Sequence, residues 1–207
     1  MRIDPSELGA EQAYRLLTGI VVPRPIAWVS SLSDKGVVNL APFSTFTFVS
    51  PKPPMLAFSV GRRGGVYKDT ARNILNSEEY VVHIADSSLL DPVHESSIEF
   101  AADVSEVDHL KLTTLPSERI APPRVAAAPI AMECRFRQCL EFGDTRSRLI
   151  VGEILVFHIR DGLIENGKID TAALDPIARI AGPRYARLGE IITMKSVFQT
   201  PKSTPQA

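Results

Sequence analysis

The chain has 207 residues, 44% of them hydrophobic, enough to bury a substantial core, and no linker-like stretch divides it. Lys+Arg 23 against Asp+Glu 24 leaves a formal net charge of -1, so the chain lacks the basic field with which nucleic-acid binders neutralise phosphates. The first residues, MRIDPSELGA, carry no apolar leader, and no later run approaches the roughly 20 apolar residues of a membrane-crossing helix. The expectation is a cytoplasmic protein, with neither nucleic acid nor membrane among its partners.

In chain order, Asp4-Pro5-Ser6-Glu7 supplies a capping residue, a proline suited to a first helical turn and a carboxylate three residues after the cap, which predicts a helix through about Leu17. From Ile26 to Val60 the pattern turns to short β-rich runs: PIAWVSSL, the turn SDKG, VVNLAPFSTFTFVS, the break SPKPP and MLAFSV. These predict an antiparallel meander in which Phe46 and Phe48 alternate with Thr45, Thr47 and Val49. KDTARNILNS predicts a helix from near Asp69, and EYVVHIA a strand with Tyr80, Val82 and Ile84 on one face.

DPVHESSIEF predicts a short helix, and a proline-rich loop over 101–128 is long enough to act as a cover. The strand from Ile130 alternates Ile130, Met132, Cys134 and Phe136 with Ala131, Glu133, Arg135 and Arg137, so one face is expected in the core and the other in water. LIVGEILVFHI is apolar on both faces, as a strand must be when a barrel lies on one side and a helix or second subunit on the other. Many short strands with few helices argue for a closed or nearly closed β-barrel, since closure removes exposed edges.

Metal and nucleophile chemistry find no support. Cys134 and Cys139, five apart on one strand, face opposite ways and are expected as free thiols, and His83, His94, His109 and His158 are scattered without ligand spacing. His83 and His158 sit mid-strand as satisfied core or interface histidines, and no G-x-S-x-G elbow occurs. Glu141 and Asp144 flank a glycine at what reads as a solvated hairpin end.

Three stretches carry candidate binding chemistry. Lys68-Asp69-Thr70 opens a helix just after Gly61-Arg62-Arg63-Gly64-Gly65, so it suits a phosphate seat built from helix N–H groups, a lysine and a hydroxyl; an ordinary capped helix fits it as well. Asp69 would repel a phosphate and is expected to cap the helix or accept from a sugar-like hydroxyl. In Asn39-Leu40-Ala41-Pro42-Phe43-Ser44-Thr45 a proline interrupts a strand, which marks either an edge whose backbone faces a ligand or a simple irregularity. Pro23-Arg24-Pro25-Ile26-Ala27-Trp28-Val29-Ser30 reads equally as a stiff lead-in to a strand and as a wall of a site.

With their order, these stretches resemble the flavin reductase-like family. The resemblance runs from about Asp4 to Tyr185 and includes PRPIAWVS, NLAPFS, SPKPP, KDT-x-x-N, EYVVHIA, PRV, Glu133-Cys134, Val151-Gly152-Glu153 and Arg184-Tyr185. It implies one mostly β domain over 1–207, with a core of about 4–190 and a tail of 191–207. That domain is an FMN-binding split β-barrel, antiparallel and of Greek-key type, with peripheral helices and homodimeric.

It further implies that Arg24, Trp28, Val29 and Ser30, with Asn39, Ala41, Pro42, Phe43, Ser44 and Thr45, line the flavin ring and ribityl chain. Ser59, Val60, Gly61 and Arg62 with Lys68, Asp69 and Thr70 hold the phosphate end. No side chain is assigned a catalytic role, because the flavin itself carries hydride and electron chemistry. The implied partners are NAD(P)H and a small-molecule or protein electron acceptor, and without a G-x-G-x-x-G site the nicotinamide has to stack over the flavin from an open cleft. An FMN-containing electron carrier without NAD(P)H turnover, and a non-redox barrel, remain as alternatives. Trp28 is left open between the flavin and the core.

Overall fold

The computed structural model describes residues 1–63 and 65–195; the side chain of Arg63 and the part of the expected tail beyond residue 195 lie outside the described residues. Asp4 does cap, its carboxylate accepting from the Ser6 N–H at 3.0 Å, but the helix it starts is one 3-10 turn, Pro5–Glu7. Gly9 stays extended (ψ 158°) and becomes the N-cap of a separate helix α1, Ala10–Ile20, with Gln12 reaching back to the Gly9 N–H at 3.0 Å. The single helix expected through Leu17 is therefore two segments.

Strands β1 (Arg24–Pro25), β2 (Ala27–Leu32), β3 (Val38–Phe43), β4 (Phe46–Pro51) and β5 (Pro54–Val60) follow. A small hairpin, β6 (Arg62–Arg63) with β7 (Val66–Tyr67), leads into α2 (Asp69–Ser77) and β8 (Glu79–Ile84). Next come α3 (Leu90–Glu95), α4 (Glu106–His109) and the hairpin β9 (Thr114–Leu115) with β10 (Arg124–Val125). Two long strands, β11 (Ile130–Phe142) and β12 (Ser147–Ile159), precede a second small hairpin, β13 (Ile164–Glu165) with β14 (Lys168–Ile169). The described chain closes with α5 (Thr171–Leu174), β15 (Ala178–Arg179) and β16 (Tyr185–Ala186). No helix among the described residues is long and apolar enough to cross a membrane.

One seven-stranded antiparallel sheet organises these elements, in the order β3-β2-β8-β11-β12-β5-β4. Ser44 and Thr45 join the two edge strands, the Ser59 N–H donates to the Thr45 carbonyl at 2.8 Å, and the Phe43 and Phe58 rings lie 5.1 Å apart. The sheet thus curls on itself into a barrel. Period-2 alternation sends Ala27, Val29, Phe58, Tyr80, Val82, Met132, Cys134 and Ile150 inward. It sends Ile26, Trp28 and Leu40 outward, against Ala85, Leu89, Val93, Val107, Val125 and Ile177.

The expected wet face of β11 is only half wet. Arg135 and Arg137 are exposed, but Ala131 packs with Val81 and Ile120, and Glu133 is fully buried. Its carboxylate accepts from the Glu118 and Arg119 N–H groups at 2.7 and 2.8 Å and lies 2.6 Å from His158 Nε2. Burial pushes this carboxyl up, but those N–H groups and His158 outweigh it and hold it below the usual range. Residues of the 101–128 region thus pack on the outside of the barrel. Likewise Phe46 packs against the core while Phe48, two residues on, is 79% exposed. Cys134 is buried and Cys139 half-buried, and both are free.

His83 ties three strands together on the outer face. Its Nε2 accepts the Val125 N–H at 2.9 Å, so the ring is neutral with its proton on Nδ1, which donates to the Trp28 carbonyl at 2.8 Å. Burial lowers its pKa to about 4, helped by the nearby Arg124 charge and opposed by the Trp28 carbonyl. In an unfolded chain the ring titrates near 6.5, so as pH falls from 6.5 toward 4 protons favour unfolding and this site costs about 3 kcal/mol of stability. Urea midpoints between pH 7 and pH 4 should therefore fall more steeply for the parent protein than for His83→Gln.

A second packing feature concerns Tyr80, whose buried hydroxyl has no hydrogen-bond partner among the described residues, and Gly152. A Cβ at Gly152 would stand 2.0 Å from that hydroxyl and 3.0 Å from the Arg135 carbonyl. Gly152→Ala should therefore lower the thermal unfolding midpoint by an amount worth about 1–3 kcal/mol. Tyr80→Phe, which removes an unpaired buried group, should leave the midpoint unchanged or raise it, and should soften the Gly152→Ala defect.

Candidate functional site

Two adjoining clefts open at the β3 edge of the barrel. The first, of about 230 Å³, lies between Asn39, Ala41 and Pro42 of β3, the start of α2 from Lys68 to Arg72, and the segment from Ser96 to Phe100, with Tyr67 and Glu106 at its sides. The second, of about 290 Å³, lies between α1, Arg24, Ser44 and the small sheet β1-β15-β16, and shares Pro42 and Ser97 with the first.

The floor of the first cleft follows from chain chemistry. β3 is an edge strand, so its backbone groups on the side away from β2 need other partners. The Leu40 N–H donates to Glu106 Oε2 at 2.9 Å, and Pro42 has no N–H to offer. Burial pushes the Glu106 carboxyl up, with the Asp69 charge acting the same way against the Leu40 N–H. Asn39 Nδ2 donates to Thr70 Oγ1 at 2.8 Å, leaving the Thr70 hydroxyl proton available to an acceptor in the cleft.

Helix α2 begins at Asp69 as expected, yet Asp69 does not cap it. Lys68 is the N-cap, no side chain caps the helix, and Asp69 is paired with Arg72 one turn on. Of the first-turn N–H groups that of Ala71 donates to the Lys68 carbonyl at 3.0 Å, while those of Asp69 and Thr70 have no carbonyl within the helix to bond and lie at the cleft with the helix dipole behind them. Pairing with Arg72 removes the objection that Asp69 repels an anion there. Lys68 Nζ stands 5.6 Å from the Phe43 ring centroid at the same end.

Of the residues expected at a flavin, Asn39, Ala41, Pro42, Lys68, Asp69 and Thr70 come together in the first cleft, and Arg24, Pro42 and Ser44 in the second. The others lie elsewhere. Trp28 points outward into the second core cluster, edge-on to His83, with its Nε1 donating to Ser96 Oγ at 2.9 Å. Val29 faces the barrel interior, and the Ser30 hydroxyl donates to the Pro123 carbonyl at 2.7 Å. Phe43 and Val60 are core, Ser59 and Gly61 half-buried, and Thr45 exposed.

Arg62 lies against Tyr67, whose ring is sandwiched between the guanidiniums of Arg62 and Arg148 at 4.0 and 3.3 Å. Glu141 gathers this group, 3.0 Å from the Tyr67 hydroxyl and 3.4 Å from Arg62. The hairpin end is solvated as expected, with Glu141 and Asp144 exposed, and Glu141 in addition holds Tyr67 at one side of the cleft. Sequence reasoning did not find Tyr67, Arg72, the 96–100 segment or Glu106, nor Tyr14, Arg179 and Tyr185 in the second cleft. Apart from the 96–100 segment, which ends the run DPVHESSIEF, and Tyr185, which belongs to the Arg184-Tyr185 pair, these are single residues scattered along the chain outside any motif.

Comparison with known proteins decides the family. Residues 19–173 match the model of the flavin reductase like domain. The chain belongs to this family. It is 38% identical to nitrilotriacetate monooxygenase component B from Bacillus cereus, covering 94% of this chain and 98% of that one with a TM-score of 0.91. It is 30% identical to the 2-nitrobenzoate 2-nitroreductase of Pseudomonas fluorescens, covering 99% and 100% with a TM-score of 0.87. At 16% identity, a Shewanella frigidimarina protein described by its split barrel domain shares the fold, with a TM-score of 0.83 over 95% of this chain.

FMN is the cofactor this family implies, and the first cleft fits it: an uncapped helix start flanked by Lys68 and Thr70 suits a phosphate dianion, and the edge of β3 suits the polar rim of a flavin. The Glu106 contact gives a test of how that wall is held. Glu106→Ala leaves the buried Leu40 N–H unpaired and should cost about 1–3 kcal/mol in chemical denaturation, whereas Glu106→Gln, which keeps an acceptor, should cost less.

Proposed function

We propose that this protein is an FMN-dependent oxidoreductase of the flavin reductase type, passing reducing equivalents from NAD(P)H to an acceptor, and that its chain works as one domain in a cytoplasmic homodimer. The observation that carries the reading is the open start of α2, where Lys68, Thr70 and unpaired helix N–H groups converge on the cleft bordered by β3. Both comparison structures at 30% identity or more are named as oxidoreductases or their components, which supports the same reaction class.

In this reading Lys68, Thr70 and the helix start bind the FMN phosphate, and the Asp69–Arg72 pair keeps the local charge from opposing it. Asn39 orients the Thr70 hydroxyl, and β3 from Asn39 onward, with Ser44 just after it, lies along the ribityl chain and ring. The bound flavin supplies the hydride and electron chemistry. The Ser96–Phe100 segment, held to the barrel through Trp28 Nε1, shields one side of the cleft from water while the other side stays open to a nicotinamide. Support for the dimer comes from α1, which buries none of its residues and exposes Tyr14, Leu17 and Ile20, and from Phe48 and Val49 on the edge strand β4.

The purified protein should show flavin absorption or take up added FMN, and anaerobic NADH or NADPH should bleach it within seconds. Lys68→Ala and Thr70→Ala should each weaken FMN binding about tenfold or more, since a charge-assisted hydrogen bond contributes about 1.5–3 kcal/mol. A protein that neither carries nor titrates with FMN ends this reading, and one that binds FMN without bleaching is an electron carrier instead.

A further inference from the structure

The first cleft does not balance its own charges. Three carboxylates, Asp69, Glu99 and Glu106, line it against two cations, Lys68 and Arg72, and β3 adds no charged side chain to either side. Asp69 is paired with Arg72, and Glu99 is exposed to water. Glu106 is neither. It is the first residue of α4, only 7% exposed, and no lysine, arginine or histidine forms an ion pair with it among the described residues.

The contact that holds Glu106 in place does not depend on its charge. Its Oε2 accepts the Leu40 N–H at 2.9 Å, and a protonated carboxyl keeps an oxygen that can accept the same bond. The wall of the cleft therefore stands with Glu106 in either state. Two successive residues of β3 also set this carboxyl beside the anion-binding end, since Asn39 bonds Thr70 at the start of α2 at 2.8 Å and Leu40 holds Glu106. Burial pushes the Glu106 carboxyl up, and the Asp69 charge acts the same way.

A ligand phosphate seated on Lys68, Thr70 and the helix start would stand next to Asp69 and add about two negative charges near neutral pH. The other charged neighbours do not offset it. Asp108 and His109 on α4, and Asp91, His94 and Glu95 on α3, are all exposed, where water and salt screen them. On the FMN reading, we propose that Glu106 takes up a proton from solvent when the phosphate-bearing flavin binds, so that the cleft admits a dianion, keeps its wall, and holds FMN with an affinity linked to pH. One O–H bond forms at Glu106, and nothing is oxidised or reduced. Because Glu106 then holds its proton more tightly in the complex than in the free protein, protons favour the complex and affinity falls as pH rises.

Calorimetric titration of the protein with FMN, in buffers of different ionisation enthalpy, counts the protons exchanged. At pH 7.5, where the phosphate of free FMN is mostly a dianion, roughly one proton should be taken up per FMN, and affinity should fall several-fold, at most about tenfold, from pH 7 to pH 8. Riboflavin, which has no phosphate, should bind without that uptake. Glu106→Gln, neutral at every pH and close in shape, should lose both the uptake and the slope, and should bind FMN more tightly than the parent at pH 8. Thermal midpoints show whether this variant is folded, and if it is not, the proton count and the riboflavin control on the parent protein still decide. FMN bound without a proton, equal uptake with riboflavin, or an uptake unchanged in Glu106→Gln overturns the proposal. A chain that binds FMN at no pH fails the parent reading instead, a result distinct from FMN bound without a proton.

Discussion

The constraint on which the rest of this structure depends is that β2, β8 and the first five residues of β11, 130–134, are buried on both faces. A strand in an ordinary antiparallel sheet turns its alternate residues to water, where polar groups need no protein partner. Here the outward residues include Trp28, Ser30, His83 and Glu133, and each had to find a hydrogen bond from the segments laid over the barrel. Those bonds hold the covering segments as firmly as the strands hold each other. The region from Ser96 to Val125 is pinned at Ser96, at Glu118 and Arg119, at Pro123 and at Val125.

Pinning that region is what makes a cleft. With Ser96 tied to Trp28 and Glu106 tied to Leu40, the stretch between them stands off the edge of β3 and leaves a slot facing the start of α2. The slot is bounded by groups short of partners: an edge strand interrupted by a proline, and a helix without a cap. A phosphate-bearing cofactor with a polar, planar ring supplies partners to both kinds of group at once, so the chemistry of a flavin mononucleotide is matched by the local deficits of the protein.

Much of the fold was legible in residue patterns. Turn residues around SDKG and SPKPP mark the strand ends beside them to within a residue or two, but VVNLAPFSTFTFVS, one run in the expected meander, is divided at Ser44 and Thr45 into β3 and β4 on opposite edges of the sheet. Legibility failed where a backbone break or a contact from another segment overrode a local signal. Asp4 and Glu7 point to a helix, yet the extended Gly9 divides it in two. Glu133 alternates as a surface residue should, and was buried because the backbone N–H groups of Glu118 and Arg119 came to it.

At the candidate site the division is similar. Lys68, Asp69 and Thr70 lie together in sequence, so their convergence on a helix start could be read from the chain alone, and the family order of motifs pointed to FMN. Trp28 could not be resolved that way, since alternation shows only that it lies opposite Ala27 and Val29. Which of those faces meets a cleft was decided by the direction in which the sheet curls. Sequence by itself determined the strand periods, the turns, the helix start and the family, because these depend on neighbours a few positions apart. Tertiary structure alone decided the cover of the outer face, the role of Glu106, and the second cleft, of Arg24 and Arg179. The Glu106–Leu40 and Arg24–Ile180 pairs are 66 and 156 residues apart, and only the folded sheet brings them into contact.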